Sequence, residues 1–175
     1  MNEGTDYRKT ALRWMKRAGL PVSEASLKTL LRRRNAIFQK EEKKQIRLFP
    51  AALPLLKELK RKGYRLGLVT GTPRPLLKRL LGKTVLCHFS VVVTPEDVPR
   101  GKPHPEPYRK AVEALGVSRK RCVVVENAAS GIRSAHRAGL FCIALPTSVP
   151  RRSLKEADRI VPSLRHLKPL LGLSS

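Results

Sequence analysis

The sequence predicts an α/β protein built on a doubly wound parallel sheet, preceded by a purely helical stretch. Three observations predict it. No strand-like run precedes Tyr64, and from Phe49 onward short Val, Leu and Ile runs alternate with helical stripes. Those runs are continuously apolar rather than alternating, the pattern of strands covered by helices on both faces of a parallel sheet.

The elements follow in order. Tyr7, Ala11, Trp14, Met15 and Ala18 share helical spacing and predict one apolar stripe. Gly19 and Pro21 end that helix, and Ser23 with Glu24 opens a second as a cap would. Leu27, Leu30, Leu31, Ile37 and Phe38 mark its stripe, and the polar run QKEEKKQIR leads to a linker. Leu55, Leu56 and Leu59 predict a helix ending at Gly63, followed by the strand YRLGLVT. RPLLKRLLG reads as a helix and SVVVT as a strand. Tyr108, Ala111, Val112 and Leu115 mark a helix closed by Gly116. CVVVE is a strand in which Val123 to Val125 are expected to be buried. Ile132, Ala135 and Gly139 give a helix that Gly131 lets approach the sheet, and LFCIALP is a further strand. SLKEADRIVP and SLRHLKPLLG predict a helix, a brief edge strand and a closing helix.

The totals bound the function. With 175 residues, 41% of them hydrophobic, the chain suits one compact domain or a domain with a small appendage. No run reaches the length of a membrane span, and MNEGTDYRK is too polar for a secretory signal. Cys87, Cys122 and Cys142 lack metal-type spacing, which fits a reduced, cytoplasmic setting. A net charge of +24 attracts polyanions through its field alone. The basic residues are scattered, however, and aromatics make up only 5%, too few for a single-strand stacking platform. Nucleic acid is therefore read as a non-specific partner. LGKT is no phosphate loop, because Leu77 stands where the first glycine of that motif belongs.

In doubly wound sheets ligands bind beyond the carboxyl ends of the strands. Three strands here end in polar chemistry. LVT runs into GTPRP, offering the Thr70 hydroxyl, the bare backbone of Gly71 and the N–H groups of a helix that Pro73 or Pro75 opens. SVVVT leads to a proline-stiffened loop carrying Lys102, and CVVVE delivers Glu126 and Asn127. A hydroxyl, an ammonium and a carboxylate on one rim suit a phosphate accompanied by a hard cation. Each also has a plainer role: Thr70 or Glu126 can cap the helix that follows. His104 and His136 read as surface or helix-face residues.

YRLGLVTGTPR, GKPHPEPYRKAVEALGV and RCVVVENAASGIRSAHRAGLFCIAL resemble, in order and spacing, the second, third and fourth motifs of haloacid dehalogenase-like hydrolases. The likeness is closest to the branch of phosphoglycolate phosphatases and β-phosphoglucomutases. It implies a Rossmann-like core over residues 49–175 and a partial helical cap over 1–48. It also implies a soluble monomer acting on a small phosphorylated metabolite with Mg2+. Thr70 and the amides of Gly71 and Thr72 would hold phosphoryl oxygens, and Lys102 would bridge that group and the nucleophile's charge. Glu126 would ligate magnesium, with Asn127 standing where the branch more often carries an aspartate.

The first motif, D-x-D-G-T with the nucleophilic aspartate, has no counterpart: the aspartates are Asp6, Asp97 and Asp158, none behind an apolar strand. The resemblance therefore implies a chain shortened at its N-terminus and inactive as given. Its absent strand would lie between those ending at Thr70 and Glu126. The sheet would then close up, or water or a partner would fill the slot, or the chain would aggregate. The readings left open are a phosphatase, a phosphomutase, and a non-catalytic relative binding phosphorylated ligands or nucleic acid.

Overall fold

The computed structural model describes residues 7–33 and 47–173. The chain divides into two compact units, Thr5–Leu48 and Phe49–Ser175. In the smaller unit α1 spans Tyr7–Arg17 and α2 spans residues 24–33. Ser23 caps α2, its hydroxyl accepting the Ser26 amide at 3.1 Å. Met15 and Leu27 are buried, whereas Trp14 is 68% exposed, so the buried stripe of α1 is narrower than its spacing predicts. Ile37, Phe38 and nearly all of the polar run lie outside the described residues.

In the larger unit α3 (Ala52–Arg61) leads to β1 (Gly67–Val69), α4 (Arg74–Leu86) to β2 (Val91–Val93), and α5 (Glu106–Leu115) to β3 (Val123–Glu126). After β3 come α6 (Ala129–Arg137), β4 (Phe141–Ala144), β5 (Arg159–Ile160) and α7 (Leu167–Leu170). The helix predicted from SLKEADRIVP reduces to a single 3-10 turn, Arg151–Leu154. All strand pairs are parallel, yet they form two sheets, β1-β2 and β3-β4-β5. Among the described residues no strand pairs with the outer side of β1 or β3. The predicted sheet has not closed up.

The core explains the layering. On one face α5 and α6 pack Tyr108, Ile132 and Ala135 against Val124, Cys142 and Ala144. On the other, Leu55 and Leu59 of α3 meet Ile143, Leu145 and Leu167. The central strand β4 is thus covered on both sides, as a continuous apolar run requires. β3 is not: Val124 is buried, but Val123 is 39% and Val125 41% exposed. The expectation that all three valines are buried fails because β3 has a neighbour on one edge only.

Candidate phosphate site at the strand tips

The strand tips are where the sequence places polar groups, and the fold gathers most of them. Thr70 continues the pairing of β1, its amide donating to the Val93 carbonyl at 3.0 Å. Its hydroxyl accepts the Thr72 amide at 3.0 Å, folding 70–72 into a tight turn before α4. Thr70 therefore shapes the turn rather than capping α4, whose first residue follows Pro73. The mouth of α4 already holds a carboxylate: the Arg74 amide donates to Glu96 Oε1 at 3.0 Å. The Arg74 side chain pairs with Asp97. Asp97 in turn accepts the Thr94 amide and hydroxyl, each at 2.7 Å. Those Thr94 bonds, with Arg74 assisting, hold the Asp97 carboxyl below its ordinary range against the opposing effect of burial.

Lys102 reaches the rim on a loop tied down from two sides. Ser134 donates to the His104 carbonyl at 2.5 Å, and Arg137 donates to the Pro103 carbonyl at 3.0 Å. The ammonium stands 2.8 Å from Glu126 Oε1 and 3.5 Å from the Val69 carbonyl, so it spans the tips of β3 and β1. Tyr108, from α5, donates to the same Glu126 oxygen at 2.6 Å. The other Glu126 oxygen accepts the Asn127 amide at 3.0 Å. Glu126 does not cap α6, which opens on Ala128 with no side-chain cap.

This cluster is nearly dry: the side chains of Lys102 and Glu126 are 13% and 6% exposed. Burial, then the neighbouring Glu126 charge and hydrogen bond, push the Tyr108 hydroxyl well above its ordinary range, so it acts only as a donor. Burial also pushes the thiol of Cys142 up to about 12, with the Glu126 and Asp158 charges adding to it and Lys102 opposing. Gly131 has a different task from the one its position predicts. A Cβ there would lie 2.0 Å from the Glu126 carboxyl carbon, so the glycine makes room for a side chain rather than for the sheet.

The structure brings Lys102, Glu126 and the turn after Thr70 together. Asn127 points elsewhere, donating to the Ser148 hydroxyl at 2.9 Å. His136 bonds Asp158 at 2.9 Å, and His104 Nδ1 accepts the Glu106 amide at 3.2 Å. Sequence reasoning missed Tyr108, which its helical spacing presents as a core residue, and Glu96. A signal for Glu96 and Asp97 existed in TPED, where a threonine precedes an acid by three residues.

The implied magnesium ion needs oxygen ligands with free lone pairs. Glu126 already accepts three hydrogen bonds, and the described residues contain no group of three His, Cys, Asp or Glu able to hold a metal. Glu126 and Asn127 in this arrangement do not by themselves fit the ion. No helix among the described residues is long and apolar enough to cross a membrane.

Comparison with known proteins bears on the same segments. The family model described as "Hydrolase: haloacid dehalogenase-like hydrolase" matches residues 3–139. Over 125 residues the chain is 38% identical to the validoxylamine A 7'-phosphate phosphatase of Streptomyces hygroscopicus subsp. limoneus, covering 70% of this chain and 59% of that protein. It is 34% identical to the phosphoglycolate phosphatase of Escherichia coli K12 over 130 residues, 72% of this chain and 52% of the relative. The chain thus spans little more than half the length of these relatives. Among solved structures, CbbY from Rhodobacter sphaeroides in complex with phosphate is 29% identical with a TM-score of 0.71, over 84% of this chain and 68% of that one. A β-phosphoglucomutase from Clostridium difficile, 20% identical, shares the fold with a TM-score of 0.80 over 94% and 74%.

Proposed function

The chain belongs to the haloacid dehalogenase-like hydrolases, and from that premise we propose that residues 49–175 recognise the phosphate of a small phosphorylated metabolite. The reaction served is hydrolysis of a phosphate monoester. Residues 1–48 are the helical cap segment of such a protein. The observation that carries the reading is the placement of Lys102: a nearly dry ammonium spanning the tips of β1 and β3, next to the turn at Thr70.

Each residue has a task. Lys102 meets the incoming anion as a point charge. The Thr70 hydroxyl and the amides of Gly71 and Thr72 take phosphoryl oxygens, the Thr72 amide leaving its internal bond to do so. Glu126 and Tyr108 hold the ammonium in place. Magnesium, when bound, supplies charge neutralisation at the phosphoryl group, and Glu126 and Asn127 are the residues that would face it. The carboxylates flanking the rim, Glu96, Asp97 and Glu126, are all engaged in hydrogen bonds. None is placed to attack phosphorus, so residues 1–175 alone bind phosphate without turning it over.

The test is titration of the 175-residue chain with inorganic phosphate and phosphoglycolate by calorimetry, alongside an assay for phosphate release. Phosphate should bind, Lys102→Ala should abolish binding, and Glu126→Gln should tighten it by freeing the ammonium. Binding unchanged in Lys102→Ala sinks the phosphate assignment. Steady phosphate release by the purified chain sinks the statement that it does not turn over.

A further inference from the structure

The two sheets lie side by side with matching ends. Lys102 spans the C-terminal tips of β1 and β3. At the other end Arg65, two residues before β1, donates to the Leu115 carbonyl at 2.8 Å, and Arg119 to Arg121 follow shortly after on the way into β3. The strands therefore run in the same direction. The helices α5 and α6, which pack on each other, roof β1-β2 and β3-β4 respectively. Yet β1 pairs only with β2, and β3 only with β4. Each presents a row of backbone donors and acceptors toward the other with no described strand between them. Val123 and Val125 are exposed beside that opening.

We propose that this opening is a docking slot for an extended segment of a partner polypeptide, added as a parallel strand between β1 and β3. The occupant is rich in β-branched residues and is preceded by carboxylates. The first property follows from the slot: its walls are backbone edges, which bond any extended chain, and its exposed side chains are valines, which favour β-branched neighbours. The second follows from charge. The N-terminal mouth is flanked by Arg65 on one side and by exposed Arg119, Lys120 and Arg121 on the other. None of these four has a carboxylate partner among the described residues, although seven ion pairs occur elsewhere. A strand parallel to β1 and β3 would bring its own N-terminal flank to those cations. A second copy of this chain is a poorer occupant, since it brings a further net charge of +24. The inference is independent of phosphate recognition.

Hydrogen exchange of the full 175-residue chain, read by mass spectrometry, tests it with synthetic peptides. The first peptide carries glutamates ahead of an Ile/Val run. The second has a proline in mid-run, which removes a strand donor. The third has lysines for the glutamates. The acidic peptide should slow exchange about tenfold or more in segments 65–70 and 121–126 together. The proline peptide should not. In the variant Arg119→Glu, Lys120→Glu, Arg121→Glu the preference should reverse, the lysine peptide now protecting both segments. Because these side chains are exposed, the variant should fold, and its remaining exchange pattern verifies that. The proposal is overturned if the acidic peptide protects neither segment, if it protects only one, or if the proline peptide protects equally. Protection that grows with protein concentration without peptide would assign the slot to a second copy and also overturn it.

Discussion

Gly131→Ala isolates the packing of the buried carboxylate. The added methyl would stand 2.0 Å from Glu126 Cδ and 2.1 and 2.3 Å from its two oxygens. Ordinary contact requires about 3.5 Å, so the carboxylate must retreat by about 1.5 Å. It is the end of a flexible side chain, but it is pinned by Lys102 at 2.8 Å and Tyr108 at 2.6 Å. A retreat of that size breaks at least one of these bonds, and a hydrogen bond to a charged group contributes about 1.5–3 kcal/mol. Opposing this, alanine in a helix interior is favoured over glycine by about 0.5–1 kcal/mol. The net expectation is a loss of about 1–2 kcal/mol for Gly131→Ala. In a Glu126→Ala background the clash is gone and only the helix preference remains, so the same change should stabilise by about 0.5–1 kcal/mol. The sign reversal is the signature. Guanidinium unfolding of the four proteins in the cycle measures it, with the midpoint compared at constant slope. An effect of Gly131→Ala that is neutral, or that is the same in both backgrounds, would refute the role assigned to this glycine.

Three other outcomes are expected. Tyr108→Phe removes one of three donors to Glu126 without changing the ring, and should lower stability by about 1.5–3 kcal/mol in the same unfolding measurement; a loss under about 0.5 kcal/mol would show that the bond contributes little. The Asp97 carboxyl titrates below its unfolded value, so its contribution is complete above about pH 4 and is lost as the pH falls through the lower folded value. Asp97→Asn should therefore be less stable than the wild type near neutrality, with the gap narrowing below about pH 4, and a gap independent of pH would contradict this. The net charge of +24 predicts sequence-independent binding to duplex DNA. With about six phosphate contacts, affinity should fall about a thousandfold between about 50 and 200 mM salt, and a flat salt response would remove the electrostatic explanation.

How legible the site was depends on whether a residue's role is set by its place in the chain or by its place in the fold. Thr70, Lys102 and Glu126 stand directly behind apolar runs or within a proline-stiffened loop, and in a parallel sheet every strand ends on the same rim. Their convergence could be read from order alone. Tyr108 could not: its spacing with Ala111, Val112 and Leu115 places it on the buried face of α5, and that placement is right. Only the packing of α5 beside β3 reveals that its hydroxyl ends on Glu126. Trp14 shows the reverse limit, since helical spacing assigns it to a stripe whose buried part is only as wide as the surface it meets. The alternation of β3, one valine buried between two exposed, likewise depends on a neighbour that no local pattern specifies.

The charge arrangement at the rim constrains what the site can do. Lys102 and Glu126 neutralise one another across 2.8 Å, and the mouth of α4, the natural anion position, is already filled by Glu96. A phosphate therefore meets no free cation at the strand tips, only an ammonium it must share. A cation approaching Glu126 meets the mirror problem, since Lys102 occupies the oxygen it would need. Either ligand gains most if the Lys102–Glu126 bond opens, and the Val69 carbonyl at 3.5 Å already offers the ammonium a second partner. A phosphate and a metal ion arriving together would each take one half of the pair. Binding of either should then favour binding of the other, a coupling that the closed pair imposes regardless of which metabolite carries the phosphate.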